Sequence, residues 1–374
     1  MVFSRLLANE SVVGVDIGSS SIKIVHAEPT RQGFTVSHVI TCPTPPDSVK
    51  EGMVINVSEV AAAIQFAVRS ADIKASNGIV AIAGPGVLVR HVQLPRMTEQ
   101  VLRRSIHFEA GKFISTSIED SVVEFEILGD GEESGQMKVM LVAAPRAMIE
   151  SRVSTLEHAG LEPLAVDVEA FATFRALLGY NPDQSLMEST VALLDMGASH
   201  TEINLVCKGN LALTRTVPIA GASLTNAIKS TENCTEDEAE ERKYSLDLNE
   251  LVNLPAGSAG GSIMKVVQSL IDEVLREIRR SVNYLQSQLP DGAADTTVDR
   301  IILTGGTARL NGLAAYTNNR LNIDVSVGNP ALGDLIDLSS SETGLGEEDI
   351  PLLAVAFGLA MKEIPATAQM RAAA

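Results

Sequence analysis

The 374-residue sequence has few of the residues that build disulfide or zinc frameworks. It contains no Trp and three cysteines, Cys42, Cys207 and Cys234, which are far apart and form no C-x-x-C pair. This pattern argues against a disulfide framework and against a thiolate zinc site, and it favours a reducing compartment. The six histidines form no H-x-x-x-H pair either, so nothing indicates a metal site built from protein nitrogen atoms.

Positive charge and long apolar runs are also scarce. The 29 Lys and Arg stand against 47 Asp and Glu, which gives a formal net charge of -18. A charge of this sign repels phosphate backbones and anionic lipid headgroups. No apolar run approaches the roughly 18–20 residues of a membrane span, and the start is too short and too soon polar for a signal peptide. We therefore expect a cytoplasmic protein that does not bind nucleic acid.

Apolar residues are abundant enough to build a sizeable core. They make up 45% of the chain, with 20% charged residues, which is the balance of a folded protein. The length favours two compact units, and alternating strand-like and helix-like runs predict an α/β fold with mixed sheets. From Val87 to Val142 the order changes to strand, Thr98-capped helix and two strands joined by a Gly-rich turn. This stretch predicts a small α+β insert within the first half.

Two segments of the chain repeat each other. Val15–Ile24 and Leu194–Ile203 each combine an apolar strand, an Asp-x-Gly turn, small residues and a second strand, and they lie about half a chain apart. Either turn alone would be ordinary turn chemistry, but the repetition indicates two related halves. Turns of this kind expose consecutive backbone N–H groups that bind phosphate oxygens. Two such turns facing each other would clamp one polyphosphate.

The charged residues of the repeat suggest a metal-assisted phosphate site. Asp16 and Asp195, each at a strand end, could hold a hydrated Mg²⁺ against the phosphates, and Lys23 would add a point charge. His200 in the second turn is more typical of a solvent-facing turn residue. The candidate phosphate-binding residues of the two turns are Gly18, Ser19, Ser20, Ser21, Gly197, Ala198, Ser199 and Thr201.

A third glycine turn follows the apolar strand Ile301–Leu303. Gly305 and Gly306 lack Cβ atoms, so a flat ring could approach the backbone there. Gly-Gly between a strand and a helix is common in ordinary turns, and its position after the second phosphate turn is what makes it a candidate.

The three turns together resemble those of the actin, sugar kinase and heat-shock chaperone ATPase superfamily, and the resemblance covers nearly the whole chain. It implies a first phosphate loop at Asp16–Lys23, a second at Asp195–Thr201 and an adenosine loop at Gly305–Leu310, with ATP and Mg as cofactors. The segment 239–243 is similar to the A-E-x-x-K that embraces the adenosine. The further nucleotide-binding residues implied in this way are Gly221, Glu240, Lys243, Arg309 and Leu310. At Gly221 the sequence has Ala-Gly, where the family more often has Gly-Gly.

Within that superfamily, the insert resembles the extra subdomain of the FtsA and PilM families. Several stretches are similar specifically to the PilM family of type IV pilus assembly proteins: Arg90–Pro95, Ala143–Arg146, Gly160–Glu169, Thr214–Ile219 and Gly328–Pro330. The resemblance implies an ATP-binding component of the inner-membrane alignment complex that is cytoplasmic and peripheral to the inner membrane. Its implied partner is the N-terminal cytoplasmic tail of PilN, bound in the groove between the first domain and the insert. Other pilus proteins and further copies of the chain are additional candidate partners.

The resemblance also implies how an actin-like two-domain chain is divided. A polar break around residues 181–185 marks the main boundary. The expected units are 1–86 with 143–185 for the first domain, 87–142 for the insert, 186–222 with 297–374 for the second domain, and 223–296 for its subdomain.

The sequence does not decide whether bound ATP is hydrolysed, and it leaves two alternative functions open. Asp167 and Glu169 are the candidate acids that would orient an attacking water, although either could instead cap the helix that begins near Ala170. We expect binding with slow or negligible turnover. An FtsA-like filament scaffold and a small-molecule phosphotransferase are the alternatives. The insert argues against the phosphotransferase, and the C-terminal 363–374 segment, with one proline and one cation, lacks the basic amphipathic helix of a direct membrane anchor.

Overall fold

The computed structural model describes residues 11–30, 33–114, 117–131, 133–252, 261–287, 297–332, 336–338, 342–343 and 346–362. The expected lack of a membrane anchor concerns residues 363–374, which lie outside these ranges. Within the described part of the chain, no helix has both the length and the apolar character that crossing a membrane requires.

The secondary structure alternates between strands and helices, as the sequence pattern predicts. A π-helix lies at Arg175–Gly179, and short 3₁₀ helices lie at Leu248–Leu251, Gly306–Arg309 and Glu347–Leu353. The strands are β1 (Val12–Ile17), β2 (Ser21–Pro29), β3 (Phe34–Pro43), β4 (Val49–Lys50), β5 (Met53–Val54), β6 (Asn77–Ile82), β7 (Leu88–Pro95), β8 (Ser121–Asp130), β9 (Gln136–Pro145), β10 (Glu162–Val168), β11 (Thr190–Met196), β12 (Thr201–Cys207), β13 (Asn210–Val217), β14 (Arg300–Thr304), β15 (Asp324–Val327), β16 (Ile336–Asp337) and β17 (Glu342–Thr343). The helices are α1 (Val57–Ser70), α2 (Glu99–Ala110), α3 (Arg146–Ala159), α4 (Glu169–Phe174), α5 (Ser185–Glu188), α6 (Gly221–Glu232), α7 (Glu236–Ser245), α8 (Ser262–Ser287), α9 (Leu313–Leu321) and α10 (Ala354–Ala360).

Two large sheets have the same strand arrangement. The first runs β10-β6-β1-β2-β3, with β16 and β17 also paired to β3, and the second runs β15-β14-β11-β12-β13. In each sheet a central antiparallel hairpin, β1–β2 or β11–β12, lies beside a parallel strand, β6 or β14. Every residue of β1 and β6 is buried because helices cover both faces of the sheet. This matching arrangement confirms the predicted α/β class with mixed sheets.

The insert is a small layer of three strands and one helix. Its antiparallel sheet has the order β7-β9-β8, and α2 packs on one face through Leu102 and Ile106 against Val139 and Leu141 of β9. Helix α2 begins after Thr98, whose side chain accepts a hydrogen bond from the Val101 amide, as expected for an N-cap. Side chains alternate along a strand, so the even-numbered residues of β9 face away from α2.

The acidic stretch Ser230–Lys243, whose composition is typical of a helix, is shared between two helices. Asn233 adopts a left-handed conformation with φ 53° and ends α6. Thr235 then starts α7 with a capping box that includes Glu238. The turn between them folds α7 back against α6, which the charge pattern alone does not indicate.

The C-terminal part of the chain returns to the first half. β16 and β17 pair with β3, and α10 packs on β1, β2 and α4. All seven residues of α10 are buried, which is typical of a helix that is apolar on every side. The described residues 336–337, 342–343 and 354–360 thus contact the first sheet, whereas Asp349 and Pro351 contact Arg309 and Thr304 of the second half. The division of the chain into domains stays a prediction.

Glycine makes the close approach of α10 to the first half feasible. A Cβ atom at Gly14 of β1 would collide with backbone atoms of Ala356 and Ala360, and one at Gly358 would collide with the Ala172 carbonyl. The backbones are therefore packed as closely as residues without side chains allow.

We expect Gly358→Ala to lower the free energy of unfolding by about 1–3 kcal/mol, because the added methyl group overpacks a backbone contact. Gly111→Ala is the matched control. Gly111 has a right-handed φ of -57° at the end of α2, and its new Cβ would make only ordinary contacts, so a change within about 0.5 kcal/mol is expected. Urea denaturation measures both, and equal effects would contradict the packing argument.

Candidate functional site

The two repeated turns face each other across a cleft between the two sheets. The predicted residues that line it come from four separate parts of the chain, so the fold brings distant candidates together. They are Asp16, Gly18, Ser19, Lys23, Glu169, Asp195, Gly197, Ser199, Gly305 and Gly306. His200 and the buried Arg152 line the cleft as well.

The first turn is closed by its own backbone and neutralised by its own side chains. The Gly18 amide donates to the Ser21 carbonyl at 3.1 Å, and Thr44 holds the Gly18 carbonyl with its hydroxyl at 2.7 Å. Asp16 and Lys23 are directly opposed in the β1–β2 register, and their side chains form an ion pair of 3.0 Å. Ser20, at the tip, is exposed, and its carbonyl accepts from the Thr44 amide at 3.0 Å.

The second turn is tied to the start of α6. The Gly197 amide donates to the His200 carbonyl at 3.1 Å, and the amides of Gly221 and Ala222 donate to the carbonyls of Gly197 and Ala198. Thr201, fully buried, donates to the Ile219 carbonyl at 2.6 Å. Ala198, Thr201 and Gly221 thus frame the turn, and the first amides of α6 hold it in place through its carbonyls.

Asp195 has no such neutralising partner. No ion pair joins it to any lysine, arginine or histidine in the described ranges. Burial, followed by the charge of Asp16, raises the pKa of Asp195 to about 6, and Lys23 opposes the shift. For Lys23 itself, burial lowers the pKa, but the acids around it, Asp16 first, outweigh burial and leave the pKa raised.

Glu169 adds a further acid to the same cleft. It begins α4 and its pKa is raised well above the usual range by burial and by the charges of Asp16, Glu202 and Asp195, with Arg152 opposing. Glu202 follows the same pattern, because burial and Asp195 raise its pKa to about 8. The cleft is therefore lined by three acids, the buried Asp16 and the half-buried Glu169 and Asp195, against two cations, and the buried Glu202 stands opposite Asp195 in the β11–β12 register.

This excess of buried negative charge suits a divalent cation. Among the described residues, no three side chains of His, Cys, Asp or Glu are arranged to hold a metal by themselves. Magnesium commonly takes only one or two carboxylates and completes its shell with waters and phosphates. Asp16 and Asp195 fit that kind of site, in which the ion binds together with a polyphosphate.

Arg152 is a cleft residue that sequence reasoning missed. It lies on α3, is 1% exposed, and donates to the carbonyls of Ile17 and Gly52, both at 2.8 Å. Burial lowers its pKa, against the charges of Glu169 and Asp16. The sequence feature that could have indicated it is its position on the buried face of α3, which it shares with Met148, Thr155, Leu156 and Ala159.

The adenosine candidates gather at the other end, on α6, α7 and the third turn. Lys243 donates to Glu240 at 2.5 Å and to Thr225 at 3.1 Å. Tyr244, which sequence reasoning missed, donates to the Gly306 carbonyl at 3.3 Å, and the Arg309 guanidinium lies 5.1 Å from the centre of its ring. A Cβ atom at Gly306 would meet only the Tyr244 hydroxyl, at 3.9 Å, which leaves room for a flat ring. Leu310 is a buried core residue.

Asp167, the other candidate acid, is engaged elsewhere. Its carboxylate pairs with Arg175 at 2.9 Å and with Lys362 at 3.3 Å, so it links β10 to the C-terminal part of the chain. It accepts a hydrogen bond from the adjacent Val168 amide. The residue at the N-cap of α4 is Val168, with no side-chain cap, so neither acid caps this helix.

Two sheets with the same strand order, a cleft framed by their hairpins and a small insert in the first half define the actin-like ATPase fold. Solved structures with this fold include MreB5 of Spiroplasma citri bound to ADP, with a TM-score of 0.51 and 13% identity over 93% of this chain and 94% of that one. That likeness concerns the fold alone.

A family model carries the identification further. The model for type IV pilus assembly protein PilM matches residues 14–364, and the chain therefore belongs to the PilM family. A solved PilM-PilN type IV pilus biogenesis complex is similar, with a TM-score of 0.79 and 25% identity, over 95% of this chain and 99% of that one. Cell division protein FtsA of Pseudomonas aeruginosa is 25% identical over 385 residues, covering 91% of this chain and 88% of FtsA. FtsA of Bacillus subtilis is 22% identical over 372 residues, covering 86% and 79%.

The two cleft aspartates should respond to neutralisation with opposite signs. In the ligand-free protein at pH 7, Asp195→Asn should raise the free energy of unfolding by up to about 3 kcal/mol, because it removes a half-buried charge that has no ion-pair partner. This gain should shrink as the pH falls through about 6 and vanish below about 4, where Asp195 is protonated in both the folded and the unfolded state. Asp16→Asn should instead lower stability by roughly 3–5 kcal/mol, because Lys23 is left buried without its partner. Urea denaturation at several pH values measures both, and effects of the same sign would contradict this account.

Proposed function

We propose that the chain is the cytoplasmic ATP-binding component of a type IV pilus assembly complex. In this proposal it is held at the inner membrane through PilN and couples its nucleotide state to assembly of the pilus machine. Membership of the PilM family supports the assembly role. The observation that carries the nucleotide-binding part is the cleft, where two phosphate-type turns meet around a half-buried aspartate, Asp195, that has no ion-pair partner among the described residues.

Each part of the cleft has a distinct role in holding Mg-ATP. The two turns would offer backbone N–H groups to the phosphates, and Lys23 would add positive charge. Asp16 and Asp195 would hold the cation, through water, and the ion would neutralise part of the phosphate charge. The Glu240–Lys243 pair would lie beside the ribose, and the open backbone at Gly306 would face the adenine near Tyr244.

Turnover in this site should be slow. Glu169 is the cleft acid placed to orient a water, and Asp167 is occupied by its ion pairs with Arg175 and Lys362. Burial and neighbouring acids raise the pKa of Glu169 well above its usual range, which disfavours the carboxylate form that would act on the water. We therefore propose binding with slow or negligible hydrolysis.

Mg-ATP should raise the melting temperature, since a ligand specific for the folded state adds about 2.7 kcal/mol at 100-fold excess over Kd. Asp16→Ala, Lys23→Ala and Asp195→Ala should lessen the shift, and Gly306→Val should lessen it by blocking the adenine. Glu162→Gln, which changes an exposed side chain, is the control. Gly86→Val is less suitable, because the new side chain would contact Pro145. Equal shifts in all variants, measured by differential scanning fluorimetry, would refute the site.

The proposed PilN site is the groove between the insert and the first domain. One face of the insert sheet is covered by α2. On the other face, Met140 and Val142 of β9 are partly buried against an apolar cluster that includes Ile82 and Met148 of the first domain. Partly buried apolar side chains beside a small sheet suit an extended peptide, which would bind through backbone hydrogen bonds and apolar pockets. The proposed ligand is the N-terminal tail of PilN, with a short Asn-Leu-Leu-Pro-like core.

A synthetic peptide of that tail should bind with a Kd of micromolar order, about -8 kcal/mol, because the segment pays an ordering cost on binding. High salt should weaken binding little, since apolar contacts and backbone hydrogen bonds are only weakly screened. Met140→Asp should weaken it at least tenfold. Phe108→Asp, which changes a 73% exposed side chain on α2, is the control on the opposite side of the insert sheet. Isothermal titration calorimetry measures the peptide affinity of each variant. If Met140→Asp binds the peptide as tightly as wild type does, the partner binds elsewhere.

The two alternatives have less support. The family model that matches is that of PilM, whereas the FtsA relatives are 22–25% identical. No feature of the described cleft indicates a sugar pocket, so a phosphotransferase is not proposed.

A further inference from the structure

The outer face of α2, the helix of the insert, carries two large apolar side chains that the described residues leave uncovered. Phe108 is 73% exposed and Val101 is 51% exposed, and their spacing of seven residues places them on the same side of the helix. The opposite side packs on the insert sheet through Leu102 and Ile106. An apolar patch that stays exposed on one side of a helix is typical of an interaction site.

The same face of α2 is positively charged. Arg104 lies between the two apolar residues and is exposed, and no ion pair joins it to an acid in the part of the chain that the structure describes. The acids of the helix, Glu99 and Glu109, are paired with Arg103 at 2.8 Å and with Lys112 at 2.6 Å. In a chain with a formal net charge of -18, this surface therefore offers a positive charge without a partner.

A groove of complementary character lies in the second half of the chain, between the end of α6 and one side of α7. It has a volume of about 840 Å³. Glu238, Glu241 and Arg242 form its α7 wall, since residues three and four apart lie on one side of a helix. Glu232 and the half-buried Cys234 form the wall beside the end of α6. The turn that folds α7 back against α6 thus leaves a groove beside α7.

The groove carries negative charge that the described chain does not neutralise. Arg242 is paired with Glu232 at 3.3 Å. Glu238 and Glu241 form no ion pair with a cation among the residues that the structure describes. The side chain of Cys234 packs against the apolar core of the second half, so the groove also has an apolar spot. Its chemistry is therefore the counterpart of the α2 face, which is apolar and positive.

The two surfaces match in length as well as in charge. Helix α2 has 12 residues and α7 has 10, which at 1.5 Å per residue corresponds to about 18 and 15 Å. A helix that lays its apolar face into a groove is a common mode of protein recognition. Because one surface is on the insert and the other is on the second half, every copy of the chain carries one helix and one groove.

We propose that the outer face of α2 in one copy of the chain binds in the α6–α7 groove of a second copy. In this contact Arg104 faces Glu241, and Phe108 packs toward Cys234. The contact joins two different surfaces, so each copy can bind a further one, which builds a ring or an open filament. It involves neither the nucleotide cleft nor the groove proposed for PilN, which lies on the other side of the insert sheet, and it stands independently of the proposed function.

The test is sedimentation velocity of the full chain over a range of protein concentrations, without nucleotide. Wild type should self-associate with a Kd of roughly 10–100 µM, as expected for a small interface, and about 0.5 M salt should weaken the association because it screens the charges. Arg104→Glu and Glu241→Arg should each raise the Kd at least about tenfold, because each places like charges opposite each other. Arg69→Glu, which reverses an exposed charge on α1, is the control and should behave as wild type.

Mixing the two variants identifies the pair of surfaces. An equimolar mixture of Arg104→Glu and Glu241→Arg should associate about as tightly as wild type, because each helix then meets a groove of opposite charge. The double variant that carries both substitutions should associate on its own for the same reason. Such rescue also shows that both variants fold, and a merely structural defect would not be rescued by mixing.

Three results would overturn the inference. The first is a wild-type chain that remains monomeric up to about 1 mM. The second is self-association that either single substitution leaves unchanged, which would place the interface elsewhere. The third is loss of association in both variants without rescue in the mixture or in the double variant.

A further variant keeps the test decisive if one of the charge variants does not fold. Phe108→Asp places a carboxylate against the acidic groove and should raise the Kd at least about tenfold. Association equal to that of wild type in this variant would contradict the proposal.

Discussion

Repulsion among closely spaced acids is the constraint on which the organisation of this molecule depends. Asp16, Glu169 and Asp195 come from both halves of the chain and line one cleft, and Glu202 stands opposite Asp195 in the second sheet. Low solvent exposure strengthens the interactions between their charges. Lys23 and Arg152 balance only part of this charge. The halves are therefore held together by apolar packing around Ile82, Leu193 and Val206, while the centre of the cleft opposes their approach.

This opposition explains how a ligand could act on the position of the two halves. A cation and a polyphosphate would supply positive charge and hydrogen bonds among these acids, so their binding would reduce the repulsion between the two halves. The insert lies at the edge of the same contact: β7 runs beside β13 of the second sheet, and Arg90 donates to Tyr284 of α8 at 3.4 Å. A change in the cleft therefore has a short physical route to the surface proposed for PilN.

The sequence predicted the hairpin architecture well because its signals are local. The Asp-x-Gly turns, the Thr98 cap and the alternating strands of the insert each depend on a few neighbouring residues. Residues that act through long-range contacts were missed: Arg152 is defined by two carbonyls from other segments, Tyr244 by its bond to Gly306, and Glu202 by the register of a sheet. Asp167 and Glu169 are two residues apart in the sequence. Asp167 forms ion pairs with Arg175 and Lys362, whereas Glu169 lines the cleft. The sequence does not show which way each side chain faces.

The return of α10 to the first half also bears on how the chain folds. β1 is the first strand of the described chain, yet the glycine contact that covers it is made by residues 354–360, so the earliest strand and the last helix must meet across almost the entire sequence. Contacts of such large sequence separation slow folding, because the entropy of closing the loop is lost before the contact forms. During synthesis, the first half would leave the ribosome with one face of its sheet uncovered. That part of the sheet is an apolar surface suited to chaperone binding until α10 has been synthesised and packs on it.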